Sequence, residues 1–242
     1  KTSGGRALAH GVILDPTAEL WIAAFKAAED FYDLKPFCAR YECGIDQATF
    51  LRAATMVEDG LREVQRRQDL IGKLRREGKI TEGRTSRDLA DAGIGLHPLV
   101  IIFDEVHELF TALKEAAENM ARLIKQGRSV FVTVVLLTQV ASKDSVPTEI
   151  TKCVSSRWCM SVLDQVANDQ IMGTGAYKRG LTGTQFRPGV DQGWGVSQGM
   201  SDSHTGAVRA YWPTDEETQQ IVNRAAALRG TTTLTASPDV QG

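Results

Sequence analysis

Asp104 and Glu105 stand side by side at the end of an unbroken apolar run, Leu99-Val-Ile-Ile-Phe103. A short run rich in β-branched residues suits a central parallel strand covered on both faces. Open α/β sheets place their ligands beyond the carboxyl ends of such strands. A carboxylate pair at that edge needs a cation opposite it. Magnesium on a nucleoside triphosphate would meet the need, with Asp104 in the metal shell and Glu105 orienting and polarising the attacking water. This is the pattern of a Walker B strand followed by a catalytic glutamate. The same acids also suit a solvated turn, or the first turn of a helix, where carboxylates favour the dipole.

Other residues bear on that choice. The chain opens on Lys1-Thr2 with no initiator methionine, which reads as a fragment, because Lys-Thr closes the phosphate loop G-x-x-x-x-G-K-[ST]. On this reading Lys1 contacts the β- and γ-phosphates, the Thr2 hydroxyl joins Mg²⁺, and the Walker A glycines lie ahead of residue 1. A solvated lysine on a frayed terminus is the plainer alternative. Gln139 follows the apolar run 130–137 and is placed to sense a γ-phosphate, or else to cap a turn. Arg157 falls in an expected strand, 153–163, where an arginine needs a carboxylate or phosphate partner. That partner is either a neighbouring subunit's nucleotide or an internal acid. Cationic residues gather in three places: Lys79, Arg84 and Arg87 within the basic stretch 73–87, Lys143 in the loop after Gln139, and Lys178 and Arg179 in the glycine-rich stretch 173–180. Mobile cationic loops suit a nucleic-acid backbone, whereas Lys and Arg at a solvated helix end need no ligand at all.

The elements that must position these groups follow from periodicity. Ala and Leu recur at helical spacing over 2–14, a helix that Gly4 and Gly5 weaken in its first turn. Asp15-Pro16 ends it. Segments 19–25 and 37–41 read as strands, and 46–76 as one long amphipathic helix. After the Asp104 strand, 111–127 reads as a helix stopped by Gly127. A strand is expected over 130–137 and a helix over 164–172. Strands around 193–196 and 205–211 are expected to form a hairpin turning at 201–203, and a last helix covers 215–228. Alternating strands and helices predict an α/β fold with a mainly parallel sheet between helical layers.

The 242 residues fit one large α/β domain with a tail. A formal net charge of −2 gives no global attraction for nucleic acid, so any basic surface must be local. No apolar run approaches the ~20 residues of a membrane helix, and no signal peptide is visible. Cys38, Cys43, Cys153 and Cys159 form no close CxxC pair and read as buried thiols of a reducing compartment. From Gly230 onward, Thr, Ser, Pro and Gly dominate, as in a linker.

Taken in order, these motifs resemble the FtsK/SpoIIIE family of hexameric double-stranded DNA translocases. The matching elements are Lys1-Thr2, the Walker B run 100–105, Leu137-Thr-Gln139, Ser155-Ser-Arg157 and Val162-Leu-Asp-Gln-Val-Ala-Asn-Asp-Gln-Ile-Met-Gly173. The stretch from Asp164 to Asp169, with Gly173-Thr-Gly-Ala-Tyr-Lys-Arg-Gly180, is similar to the TraB plasmid-transfer (conjugative) translocases of actinomycetes. The resemblance implies a RecA-like P-loop NTPase core over residues 1–226, lacking the Walker A glycines, and a linker or tail over 227–242. It implies ATP and Mg²⁺ as cofactors, with Lys1 and Thr2 on phosphate and metal, Asp104 and Glu105 on metal and water, and Gln139 as sensor. Arg84, Arg87, Lys79, Lys143, Lys178 and Arg179 would meet DNA inside a homo-hexameric ring. The motor would work at the cytoplasmic face of the cell membrane, reaching the membrane only through segments outside this soluble chain. Two other functions fit the same residues. One is a protein-secretion ATPase of the same superfamily; the other is a DExH helicase, spelled by Asp104-Glu105-Val106-His107, although no second motor domain is visible.

Overall fold

The computed structural model describes residues 2–81, 85–139, 145–201 and 204–230. Four parallel strands form the centre: β1 (Glu19–Ala24), β2 (Cys38–Cys43), β3 (Leu99–Asp104) and β4 (Val132–Leu137), in the order β2-β1-β3-β4. Both faces of the two middle strands are covered, which is why β3 reads as a continuous apolar run rather than an alternation. Residues of one parity, among them Trp21, Ala23, Ile101 and Phe103, face a core built with the long helix α2 (Gln47–Arg76) and its neighbours. Residues of the other parity, Leu20, Ile22 and Ile102, face α1 (Thr2–Ile13), the short 3-10 helix Tyr32–Phe37 and the last helix. This is a three-layer α/β fold, as the element pattern predicts.

α2 starts where the sequence signals a cap: the Asp46 carboxylate accepts from Thr49 N at 3.0 Å and from the Thr49 hydroxyl at 2.6 Å. Its buried stripe, Ala53, Met56, Val57, Gly60, Val64, Arg67 and Ile71, keeps helical spacing over most of its length. A short helix, α3 (Arg87–Asp91), follows.

Two expectations are corrected. The helix expected over 111–127 is two helices, α4 (Val106–Ala112) and α5 (Glu115–Gly127), separated at Leu113, whose backbone is extended. The change of direction lets Leu109 and Phe110 of α4, and Met120 and Leu123 of α5, enter the same core. The strand expected over 153–163 is shorter. Residues up to Cys153 belong to helix α6 (Thr148–Cys153), and only Arg157–Met160 forms β5. After α7 (Gln165–Met172), strands β6 (Trp194–Ser201) and β7 (His204–Arg209) form the expected hairpin. Among the described residues they pair with β5 in an antiparallel sheet, ordered β5-β6-β7, beside the parallel one.

The chain returns through α8 (Asp215–Arg229), opened by a reciprocal cap in which Glu217 N donates to the Thr214 hydroxyl and Thr214 N donates to Glu217. The helix expected over 215–228 runs one residue further, to Arg229. The Arg229 guanidinium donates to the carbonyls of Val12, Ile13, Asp15 and Ala18, tying α8 to the carboxyl end of α1. Among the described residues no helix is long and apolar enough to cross a membrane.

Candidate nucleotide-hydrolysis site

Strand register brings the chemistry together. Asp104, last residue of β3, lies opposite Ala24 of β1 and Leu137 of β4. The residues just beyond those strand ends, Lys26, Glu105, Thr138 and Gln139, therefore emerge on one edge of the sheet. α1 starts at that edge and brings Thr2 beside them. Gly4 and Gly5, which weaken this helix in isolation, allow its approach: a Cβ at Gly5 would lie 2.4 Å from Leu137 Cδ1, and one at Gly4 2.7 Å from the Trp158 ring.

Asp104 is fully buried. Its carboxylate is ion-paired with the Lys26 ammonium, which also lies 2.5 Å from Asp30 Oδ2 and donates to the Thr2 hydroxyl at 3.3 Å. Burial pushes the Lys26 ammonium toward deprotonation, but its hydrogen bonds to Asp104 and Asp30 outweigh that and raise its pKa. Nothing in the sequence around Lys26 singles it out; only the register shows that it meets Asp104. Thr2 and Asp104, the two residues expected to hold Mg²⁺, thus converge on one positive charge. A hydroxyl and a carboxylate around a single cation fit the oxygen donors that magnesium takes.

Glu105 sits at φ 54°, in the left-handed region where non-glycine residues are uncommon. Its own N–H donates to Asp104 Oδ1 at 3.2 Å. Gln139 holds its carboxylate at both oxygens: the side-chain amide donates to Oε1 at 2.6 Å and the backbone N–H to Oε2 at 3.1 Å. His107, in the first turn of α4, places Nδ1 3.5 Å from Glu105 Oε2 and 3.1 Å from the Thr138 hydroxyl. The expected sensor amide and the expected base are therefore in direct contact.

Among the described residues Arg157 has no acidic side chain against it, so the internal ion pair, one of its two expected partners, does not form. Its guanidinium donates to three backbone carbonyls, Ile171 at 3.0 Å, Val154 at 3.3 Å and Thr151. Carbonyls of two helix ends supply the acceptors that a carboxylate would, and burial lowers the Arg157 pKa.

Among the described residues the expected cationic contacts do not cluster. Arg87 pairs with Asp15 at 2.5 Å and Asp91 at 2.9 Å. Asp15 precedes β1, so this pair lies at the amino end of the sheet, opposite Asp104. Lys79 is exposed and 2.8 Å from Glu77. Lys178 and Arg179 are exposed on a turn after α7. The motif around that turn has a local structural task. Asp164 caps α7, Asn168 is fully buried and fixes Leu181 and Gly183, and Asp169 accepts from Gly175 N and Tyr177 N. Lys1, Arg84 and Lys143 lie outside the described residues.

No family model matches the chain, and no curated protein matches it either. Solved structures do. The cytoplasmic domain of the type VII secretion ATPase EccC from Thermomonospora curvata aligns over 93% of this chain with a TM-score of 0.67 and 21% identity. The pCW3 conjugation coupling protein TcpA, in its monomer form with ATPγS, aligns over 95% with a TM-score of 0.69 and 16% identity. EssC (ATPases 2 and 3) from Geobacillus thermodenitrificans aligns over 95% with a TM-score of 0.58 and 11% identity. The fold is that of a P-loop ATPase domain. The chain spans 27% of the EccC chain and 63% of the TcpA chain, so these similarities concern one domain of larger proteins.

Proposed function

We propose that this P-loop ATPase domain is the motor of an ATP-driven DNA translocase of the FtsK/SpoIIIE superfamily, of the kind that moves plasmid DNA between cells, as the TraB-like motifs suggest. The observation that carries the hydrolytic part is the paired Asp104–Glu105 edge, with Lys26 joining Asp104 to the Thr2 hydroxyl and Gln139 on Glu105. In this reading a glycine-rich loop ahead of Lys1 wraps the phosphates, Lys1 contacts the β- and γ-phosphates, and Thr2 and Asp104 hold Mg²⁺. The metal supplies charge neutralisation at the phosphate oxygens. Glu105 accepts the proton of the attacking water, and its left-handed backbone aims the carboxylate off the strand axis. Gln139, bonded to Glu105, exchanges that contact for one with the γ-phosphate, so hydrolysis is felt at the end of β4. Lys79, Arg84, Arg87, Lys143, Lys178 and Arg179 supply phosphate-backbone contacts in a homo-hexameric ring. Arg87 reaches DNA only by leaving Asp15.

Replacing Glu105 with Gln removes the base and keeps the shape. With the loop ahead of Lys1 included, ATP turnover is expected to fall about 10²- to 10⁴-fold with ATP binding retained. Unchanged turnover overturns the assignment. The similarity to EccC and EssC favours a second reading, a motor that moves polypeptide. Filter binding of duplex DNA over a range of salt separates the two. A DNA motor shows affinity falling linearly in log–log form as counterions are released, and duplex DNA stimulates its ATPase. A polypeptide motor does neither.

A further inference from the structure

Glu105 is held in unequal ways at its two oxygens. The Gln139 side-chain amide donates to Oε1 at 2.6 Å, while the Gln139 backbone N–H donates to Oε2 at 3.1 Å. Oε2 also faces the His107 ring, with Nδ1 3.5 Å away. In the cycle proposed above the side-chain amide leaves for the γ-phosphate, which frees Oε1 to accept a proton. The backbone N–H stays with the end of β4. One backbone donor fixes a point on the carboxylate but not its plane, and a reacting group misplaced by about 1 Å loses on the order of 10²-fold in rate. A second contact at Oε2 fixes the plane as well, and His107 is placed to make it. The backbone builds this placement. Residues two apart on a helix do not face each other, so a histidine at 107 would ordinarily turn away from residue 105. Glu105 stands outside α4 as its N-cap, with φ 54° and ψ 43°, and this left-handed turn brings its carboxylate round to the ring in the first turn. The ring has both its nitrogens engaged. The Thr138 hydroxyl lies 3.1 Å from Nδ1, and Glu108 Oε1 lies 3.3 Å from Nε2. At 3.5 Å the approach of Nδ1 to Oε2 is longer than a settled hydrogen bond, and catalytic contacts of this kind tighten when the reactive complex assembles.

We propose that His107 is a positioning residue for the hydrolytic base: its Nδ1 and the Gln139 backbone N–H grip Oε2, so that Oε1 faces the attacking water when the Gln139 amide departs. The inference rests on the nucleotide reading above. It adds what keeps the base aimed once its sensor lets go. His107 acts through Glu105, with no contact of its own to nucleotide or water.

Three substitutions separate the ring's two nitrogens. Asn carries an amide nitrogen near the position of Nδ1, and Gln carries one near that of Nε2. In the protein with the segment ahead of Lys1 included, His107→Ala and His107→Gln are expected to lower kcat about 10- to 100-fold. KM for ATP should stay unchanged, since only an interaction of the reacting state is lost. His107→Asn should retain most of the turnover. Imidazole nitrogen NMR gives a readout free of turnover. The chain has four histidines, and the signals of His107 are those absent from His107→Asn. A non-hydrolysable ATP analogue is expected to move the Nδ1 signal toward that of a hydrogen-bond donor, and ADP to leave it in place. An Asn variant as slow as the Ala variant, or a KM that rises in step with the loss of kcat, makes the ring a packing group and overturns the proposal. So does wild-type kcat in all three variants, or an Nδ1 signal that stays put while the analogue shifts the Thr2 amide. In those cases a Glu105→Gln variant that still loses turnover leaves the nucleotide reading standing. If Glu105→Gln turns over normally, the base assignment itself falls, and the role of His107 with it.

Discussion

A carboxylate with no exposed surface persists as an anion only beside a cation, and for Asp104 the Lys26 ammonium supplies one. Lys26 is itself mostly covered, with 18% of its side chain exposed. Removing one partner of a buried pair leaves the other charge uncompensated. Lys26→Met is therefore expected to destabilise the domain by about 3 kcal/mol, lowering the thermal midpoint by roughly 6–12 °C for a chain of this size. Adding Asp104→Asn to that variant should restore much of the loss, because the orphaned charge goes with it. If the double variant melts no higher than the single one, the pair is not what holds this edge together. The comparison also shows what the sequence carried here. Asp104 and Glu105 were legible because an apolar strand ends on them. Lys26 was not, since Phe25-Lys-Ala27 matches no motif, and its meaning arises only when β1 and β3 pair in register.

At the scale of elements, α1 and its neighbours test how far propensity predicts stability. Gly→Ala in a helix ordinarily stabilises by about 1 kcal/mol. Gly11 has nothing within 4 Å of a built Cβ and should follow that rule. Gly5 should invert it, because its Cβ would strike Leu137, and overpacking costs about 1–3 kcal/mol. Denaturant melts of the two variants check this, and a stabilising Gly5→Ala refutes the close packing of α1 on β4. The connection from α1 into β1 is joined to α3 by Asp15 and Arg87. The hydrogen bond from Arg87 is the main cause that holds the Asp15 carboxyl at about 2, below its usual 3.8. A depressed acid contributes stability above its unfolded pKa and loses it as pH falls through the folded value. The contribution should be complete above pH 4 and vanish between about 4 and 2. Arg87→Gln should flatten that acid limb by lowering stability above pH 4 by the same amount, a small one because the pair is exposed. An acid limb identical to wild type shows that Arg87 does not hold Asp15 in solution. Long periodic elements such as α2 were readable. The split at Leu113 was not, because both halves show the same apolar period and only the shared core decides where the chain turns. Which strands β5, β6 and β7 pair with was hidden for a similar reason: they read as strands whichever sheet receives them.

For the molecule as a whole, the decisive contact joins residues more than 200 positions apart. The last carbonyls of α1 have no partners within the helix, and Arg229 donates to two of them, Val12 at 3.0 Å and Ile13 at 2.7 Å, and to Ala18 beyond at 2.8 Å. Burial lowers the Arg229 pKa, as expected where carbonyl oxygens rather than a carboxylate neutralise the guanidinium. Charge-assisted bonds of this kind contribute about 1.5–3 kcal/mol each before the cost of desolvation. Arg229→Met keeps an apolar stem of similar length and deletes the donors. It should destabilise by about 2 kcal/mol. The more telling effect is remote. α1 carries Thr2 into the site, so loosening its far end should raise amide exchange along Thr2–Ile13 and weaken ATP binding without removing any group expected to touch the nucleotide. Arg229→Lys, which retains the charge but presents fewer donors, should fall between. If α1 exchange in Arg229→Met equals wild type, the helix is anchored by its apolar face alone, through Ala9 and Ile13, and the closure by Arg229 is ornamental to the site.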